Sequence, residues 1–259
     1  MIKGIWNTIT LIIKGILILL GLFVTYHSVS VGIYLATYPQ LLTNNVLEIT
    51  DGESQIITFP RQLPVANESE FGIQYVTKDE ISPALFMAIV AIEDARFYEH
   101  SGVDYYAILR AVYYNAFAKE YLQGGSTITQ QLAKNLYLNP DKRLSRKLAE
   151  VYLARKLEAQ FPKDDILEMY VNQSYYGQGM YGVERAANYY FRKKARQLDY
   201  AEASFLAGLL QAPSFYSNPN NRELAYVRQD LVLKLMVNQN LIRQDEAEKS
   251  LESFRKRFQ

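Results

Sequence analysis

Between Gly15 and Ala36 the chain carries no Asp, Glu, Lys or Arg, and His27 is the one imidazole in the run. An α-helix needs about 20 apolar residues to cross the hydrocarbon core of a bilayer. This stretch supplies them, so it predicts one membrane-spanning helix. Lys3 and Lys14 precede it, and no Lys or Arg follows until Arg61. Positive charge stays on the cytoplasmic side. Residues 1–14 therefore read as a cytoplasmic tail, 15–36 as a transmembrane anchor, and everything from residue 37 as lying outside. The apolar part is long for the core of a cleaved leader, and no small-x-small cleavage signal follows it.

The remainder must fold beside that membrane. Of the 259 residues 49% are apolar and 21% charged, enough to bury one sizeable core. The 28 Lys and Arg nearly balance 27 Asp and Glu, which gives no basis for a nucleic-acid partner. Cysteine is absent, so disulfides and thiolate chemistry are excluded. Residues 37–74 read as a connector and a small β-hairpin, Val46–Phe59, whose two β-branched runs flank Asp51-Gly52. Thr77 and Glu80 have capping-box spacing. From Ser82 onward the pattern is almost entirely helical, so residues 75–259 are expected to form a mainly α domain. Ser82 and Pro83 start one helix, and Asp104 caps another over Tyr105–Tyr121. Five tyrosines give the second helix the look of an interfacial element. Further helices are expected over Ile128–Leu138, over Arg143–Phe161 with Leu144, Leu148, Val151 and Tyr152 as its core stripe, and over Lys163–Asn172. The remaining ones fall at Val183–Phe191, Tyr200–Leu210, Arg222–Gln239 and Gln244–Phe254.

The chemistry concentrates in Ala88–Gly102, where an apolar helical run ends in Glu93 and Asp94, followed by Phe97 and His100. Glu93 lies at the edge of the apolar face and near the helix C-terminus, since His100-Ser101-Gly102 reads as the helix stop. Desolvation, the helix dipole and the like charge of Asp94 should all raise its pKa, as a general base working near neutrality requires. A solvated acidic helix end paired with Arg96 fits the same stretch. Gly125-Ser126-Thr127 precedes a helix and could cradle an anion on free backbone N–H groups. Gln130 and Gln131 suit sugar hydroxyls, and Lys134 lies on the face of Gln130. Glu150 follows Lys147 by three residues and Arg143 by seven. Cations should lower its pKa, and two carboxylates pushed apart in pKa suggest divided roles.

Four blocks in order, EDARFYEHSG (Glu93–Gly102), GGSTITQQLAKN (Gly124–Asn135), RKLAE (Arg146–Glu150) and KDDILEMYVN (Lys163–Asn172), resemble the peptidoglycan glycosyltransferases of glycosyltransferase family 51. The resemblance spans roughly residues 75–240. A fifth block, usually two basic residues before a Val-Leu pair, reads Arg228-Gln229-Asp230-Leu231-Val232-Leu233 here, with Gln229 in the second basic position. The resemblance implies a lysozyme-like, two-lobed, mainly α fold. It also implies polymerisation of lipid II into glycan strands by inverting transfer, with release of undecaprenyl pyrophosphate. Glu93 would be the base, supported by Asp94, Phe97 and His100, and Glu150 the second catalytic carboxylate. In inverting glycosidases two such groups stand about 6.5–9.5 Å apart. Gly125, Ser126, Thr127, Gln130, Gln131, Lys134, Asn135, Lys142, Arg143, Arg146 and Lys147 would bind substrate, the cations neutralising the pyrophosphate. Lys142 stands where many relatives carry Arg. A divalent cation (Mg or Mn) is implied by the resemblance alone, with Glu93 or Glu150 as its holder. The chain would sit in the bacterial cytoplasmic membrane with its catalytic domain on the outer face, among other cell-wall synthesis proteins. Ser253 and Lys256 have Ser-x-x-Lys spacing, but no Lys-Thr-Gly follows, so the expectation is a monofunctional enzyme without a transpeptidase domain. The alternatives are a lysozyme-like peptidoglycan-cleaving enzyme and a non-catalytic scaffold.

Overall fold

The computed structural model describes residues 74–117, 125–137 and 144–258, two short strands, and scattered positions between residues 13 and 32. Strands β1 (Ile49–Thr50) and β2 (Ile56–Ile57) pair antiparallel, with Ile49 opposite Ile57 and Thr50 opposite Ile56. The expected turn at Asp51-Gly52 lies outside the described residues. Described positions between Ile13 and Gly32 are helical. Among the described residues no helix is long and apolar enough to cross a membrane; much of the expected anchor lies outside them.

Ten helices follow among the described residues: α1 (Pro83–Glu93), α2 (Tyr105–Phe117), α3 (Ile128–Tyr137), α4 (Leu144–Gln160), α5 (Lys163–Gln173), α6 (Val183–Phe191), α7 (Tyr200–Leu209), α8 (Pro213–Tyr216), α9 (Arg222–Asn238) and α10 (Gln244–Phe258). The mainly α expectation is met.

Helix α1 is apolar nearly all round, which marks a helix buried on all sides. Leu85, Ala88 and Ile89 have no exposed surface, and α1 packs on both α7 and α9. Burying a Leu or Ile side chain fully stabilises the fold by about 1.5–3 kcal/mol, so α1 is a rigid base for whatever its last residue carries. Pro83 opens the helix as expected. Ser82 holds the N-cap position, but its hydroxyl donates to the Leu198 carbonyl (2.7 Å) instead of capping. Asp199 does cap α7: its carboxylate accepts from the Glu202 amide, and Glu202 accepts from the Asp199 amide. The fully buried Glu202 carboxylate is paired with Lys193 (2.8 Å) and with Arg257 of α10 (2.9 Å).

Helices α3, α4 and α5 pack against one another. The core face of α4 is one position round from the expected stripe. Ala149, Leu153, Ala154 and Leu157 are fully buried, while Leu148 is 37% exposed. Two alanines let the helix approach its neighbours closely, which bulky Leu148 would prevent. The fourth sequence block, on α5, ties down the entry to the domain. Asn172 accepts from the Val76 amide (3.0 Å) and donates to the Val76 carbonyl (2.8 Å), and Glu168 accepts from the Lys78 amide (2.7 Å). Helix α2 exposes Tyr105, Tyr106, Leu109 and Tyr113; residues 118–121 of its expected extent lie outside the described residues.

Candidate active site

The C-terminal end of α1, the N-terminal end of α3, the start of α2 and one face of α9 enclose a cavity of about 520 Å³. Glu93 lines it, and so do Arg96, Arg110 and Arg228. Asp94 and Asp104 line it as well, so three acidic residues and three arginines share the cavity.

Glu93 is the last residue of α1. Its Oε2 accepts from Gln131 Nε2 (2.8 Å), and Gln131 Oε1 accepts from the Tyr170 hydroxyl (3.0 Å). Burial pushes the Glu93 carboxyl above its ordinary value; Gln131, Arg228 and Lys134 pull it down, and Asp94 adds a small upward push. The net direction is upward, as expected, but its chief cause is desolvation. Arg96 does not pair with Glu93. It reaches Glu99 (2.9 Å) and Asp104 (3.8 Å) and lies over the Tyr106 ring.

Asp94 is buried, and its carboxylate is held by His100 Nε2 (3.0 Å) and the Ile128 amide (3.1 Å). The anion at the N-terminus of α3 is thus the protein's own, which corrects the expected open cradle. Further donors there are also engaged. Gln130 N donates to Thr127 Oγ1 (3.1 Å), Thr127 N donates to Gln130 Oε1 (3.0 Å), and Thr127 Oγ1 donates to the Gly102 carbonyl (2.7 Å). Gln130 is a buried capping residue rather than a hydroxyl binder, and the cavity-facing amide is that of its neighbour Gln131. Gly125 answers a packing need: a Cβ there would stand 3.2 Å from the Ile108 Cα. Phe97 is fully buried in the core, beneath the Lys163 ammonium.

Ser126 lines the cavity and accepts from Lys147 Nζ (2.7 Å), which also donates to Glu150 Oε2 (2.7 Å). Glu150 itself is buried and absent from the cavity wall. Lys134 and Asn135 are exposed on α3; Lys134 is close enough for its charge to act on Glu93. Lys142, Arg143 and the side chain of Arg146 lie outside the described residues.

Sequence reasoning did not single out Arg228 as a site residue. Its charge acts on Glu93, its Nε is buried, and that nitrogen has no hydrogen-bond partner among the described residues. Gly208 on α7 makes room for it: a Cβ there would meet the Arg228 Cγ at 3.1 Å. Gln229, in the second basic position of the fifth block, is buried and donates to the Ala201 carbonyl (2.7 Å). The block's signal was its Arg, and its Gln joins α9 to α7. Among the described residues no group of three or more His, Cys, Asp or Glu is placed to hold a metal ion.

The site thus sets the Glu93 carboxyl, its pKa raised by burial, beside Arg96, Arg110 and Arg228 in one cavity of a mainly helical domain. The family is settled by comparison: residues 62–237 match the transglycosylase family, and the chain belongs to it. It is 44% identical over 172 residues to penicillin-binding protein 1F of Bacillus subtilis (strain 168), covering 66% of this chain and 24% of that protein. It is 45% identical over 183 residues to penicillin-binding protein 1A of Aquifex aeolicus, covering 70% and 25%. With penicillin-binding protein 1A of Escherichia coli (strain K12) it shares 40% identity over 222 residues, covering 83% and 25%. The chain spans about a quarter of the length of these relatives.

Proposed function

We propose that the chain polymerises lipid II into peptidoglycan glycan strands by inverting glycosyl transfer and releases undecaprenyl pyrophosphate. The observation that carries this reading is Glu93, raised in pKa and facing a recess lined by Arg96, Arg110 and Arg228. Glu93 takes the proton of the acceptor sugar hydroxyl as its oxygen attacks the anomeric carbon of the lipid-linked strand. The bond from that carbon to the pyrophosphate oxygen breaks, and its electron pair leaves with the pyrophosphate. Because this leaving group is already a weak base, catalysis needs charge neutralisation more than a general acid. Arg228, with Lys134 and Lys147 nearby, supplies it. Glu150 acts at one remove, by holding Lys147 against Ser126.

The domain works at the outer face of the bacterial cytoplasmic membrane, tethered through Gly15–Ala36, alongside other cell-wall synthesis proteins. The exposed Tyr105, Tyr106, Leu109 and Tyr113 of α2 suit a headgroup layer, where amphipathic rings settle. The test is incubation of the purified full chain with labelled lipid II and gel analysis of chain length. Ladders of polymer are expected. Soluble muropeptides released from purified peptidoglycan, without polymer from lipid II, would point to hydrolysis instead.

A further inference from the structure

Glu93 does not meet Gln131 alone. Behind the Gln131 amide stands the hydroxyl of Tyr170, on α5, a side chain 2% exposed. We propose that Tyr170 is a positioning residue for the transfer reaction, fixing which end of the Gln131 amide faces Glu93. This inference rests on the assignment of Glu93 as the base.

An amide has an accepting end and a donating end, and rotation by half a turn exchanges them. With the nitrogen toward Glu93, Gln131 stabilises the ionised carboxylate. With the oxygen toward Glu93, it stabilises the protonated acid, which cannot take a proton from a sugar hydroxyl. The Tyr170 phenol breaks that symmetry. Its hydrogen is donated to Gln131 Oε1, so reversing the amide would take this acceptor from a buried hydroxyl. Burial pushes the phenol well above its ordinary value, with a contribution from the nearby Glu93 charge, so it stays a donor at any working pH. The chain of donors runs one way, Tyr170 to Gln131 to Glu93.

Other charges also act on the base: Lys134 from α3, Arg228 from α9, and Asp94 beside it. Arg96, Arg110 and Asp104 share its cavity. Each of these acts through the field of the recess. Tyr170 acts through a single rotatable amide, so removing one oxygen should isolate its effect.

The experiment compares Tyr170→Phe with Tyr176→Phe in the detergent-solubilised full chain. Tyr176 is equally buried, but its hydroxyl donates to the Val171 carbonyl (3.2 Å) and takes no part in the Glu93 chain. Infrared difference titration of the labelled Glu93 carboxyl, with Glu93→Gln as the blank, reads protonation directly. Tyr170→Phe should move the Glu93 midpoint to higher pH and Tyr176→Phe should leave it in place. With lipid II, Tyr170→Phe should lower kcat at pH 7 by roughly fivefold to tenfold, shift the acid limb of the rate profile upward, and leave KM within about twofold. If Tyr170→Phe does not fold, fluorotyrosine at position 170 carries the test: its more acidic phenol donates more strongly to Gln131 Oε1 and should move the Glu93 midpoint to lower pH, and an unmoved midpoint overturns the proposal. An unmoved midpoint, or an equal shift in Tyr176→Phe, overturns the proposal. A shifted midpoint in a chain that makes no polymer upholds the positioning role and sinks only the polymerase reading.

Discussion

Glu93 and Glu150 are both largely enclosed carboxylates, and the protein treats them in opposite ways. Glu93 ends a helix, faces a cavity and accepts from a neutral amide. Glu150 sits within a helix, away from that cavity, and accepts from an ammonium three residues earlier on α4. A carboxylate with a formal cation in direct contact is suited to holding something in place. One with only an amide in contact, and cations at a distance, can exchange a proton during a reaction. Enclosure alone separates structural from chemical carboxylates poorly; the identity of the nearest donor separates them well.

The largest expected break in this contrast is Glu93→Gln. Polymerisation of lipid II should fall by about 10²- to 10⁴-fold, the usual contribution of a general base, with the fold retained by circular dichroism. The same substitution should raise stability at neutral pH. Because the folded chain holds the Glu93 proton to higher pH than the unfolded chain does, ionising it costs stability as pH rises through that window. Glu93→Gln should therefore melt higher at pH 7, by about 2–4 °C per kcal/mol gained. The gain should vanish below the ordinary carboxylate value of 4.5. A variant that melts lower at pH 7 would contradict the desolvated-base account.

Next comes Arg228→Met, which removes a guanidinium while keeping much of its stem. A fall of about 10²-fold in kcat is expected from loss of one charge-stabilising donor, read in single-turnover assays. On the Glu150 side, Lys147→Met and Glu150→Gln should each lower activity by about tenfold, and the double variant should be little worse than either. Additive losses would show that Glu150 acts independently of Lys147. Lys147→Met should also cost about 1–3 kcal/mol in denaturant unfolding, by taking the ammonium from a buried carboxylate. The smallest effect expected is that of Gly208→Ala. Its Cβ would crowd the flexible Arg228 stem at 3.1 Å, so a loss of about threefold in kcat, with little change in melting, is expected.

The parts of the site written locally were readable in the sequence. The helix that carries Glu93, its raised pKa and the mainly helical character of the described residues from Pro83 onward follow from short-range periodicity, caps and neighbours. The expected helix stop at His100-Ser101-Gly102, by contrast, lies beyond the observed end at Glu93. What failed depended on contacts between distant residues or on one step of helical rotation. Gln130 and Gln131 are adjacent and chemically identical, yet about 100° of rotation sends one into the core and the other to Glu93. The N-terminus of α3 looked open because nothing nearby in sequence fills it; Asp94, 34 positions earlier, does. The place of Arg228 beside Glu93 required knowing that α9 packs on α1. Leu148 was misplaced because periodicity weighs size and apolarity, while close packing of α4 favours Ala149 and Ala154.

The ties from Asp94 to the Ile128 amide and from Thr127 to the Gly102 carbonyl have a further consequence. The chain leaves the end of α1 and returns to nearly the same point at the start of α3, and these two bonds close the gap. The described residues between Val103 and Ser126, α2 with its tyrosines included, are then an excursion drawn shut at its neck. Such an excursion can be lengthened, shortened or resurfaced over evolutionary time while Glu93 stays where it is. The base and the part of the domain that chooses its surroundings can diverge separately.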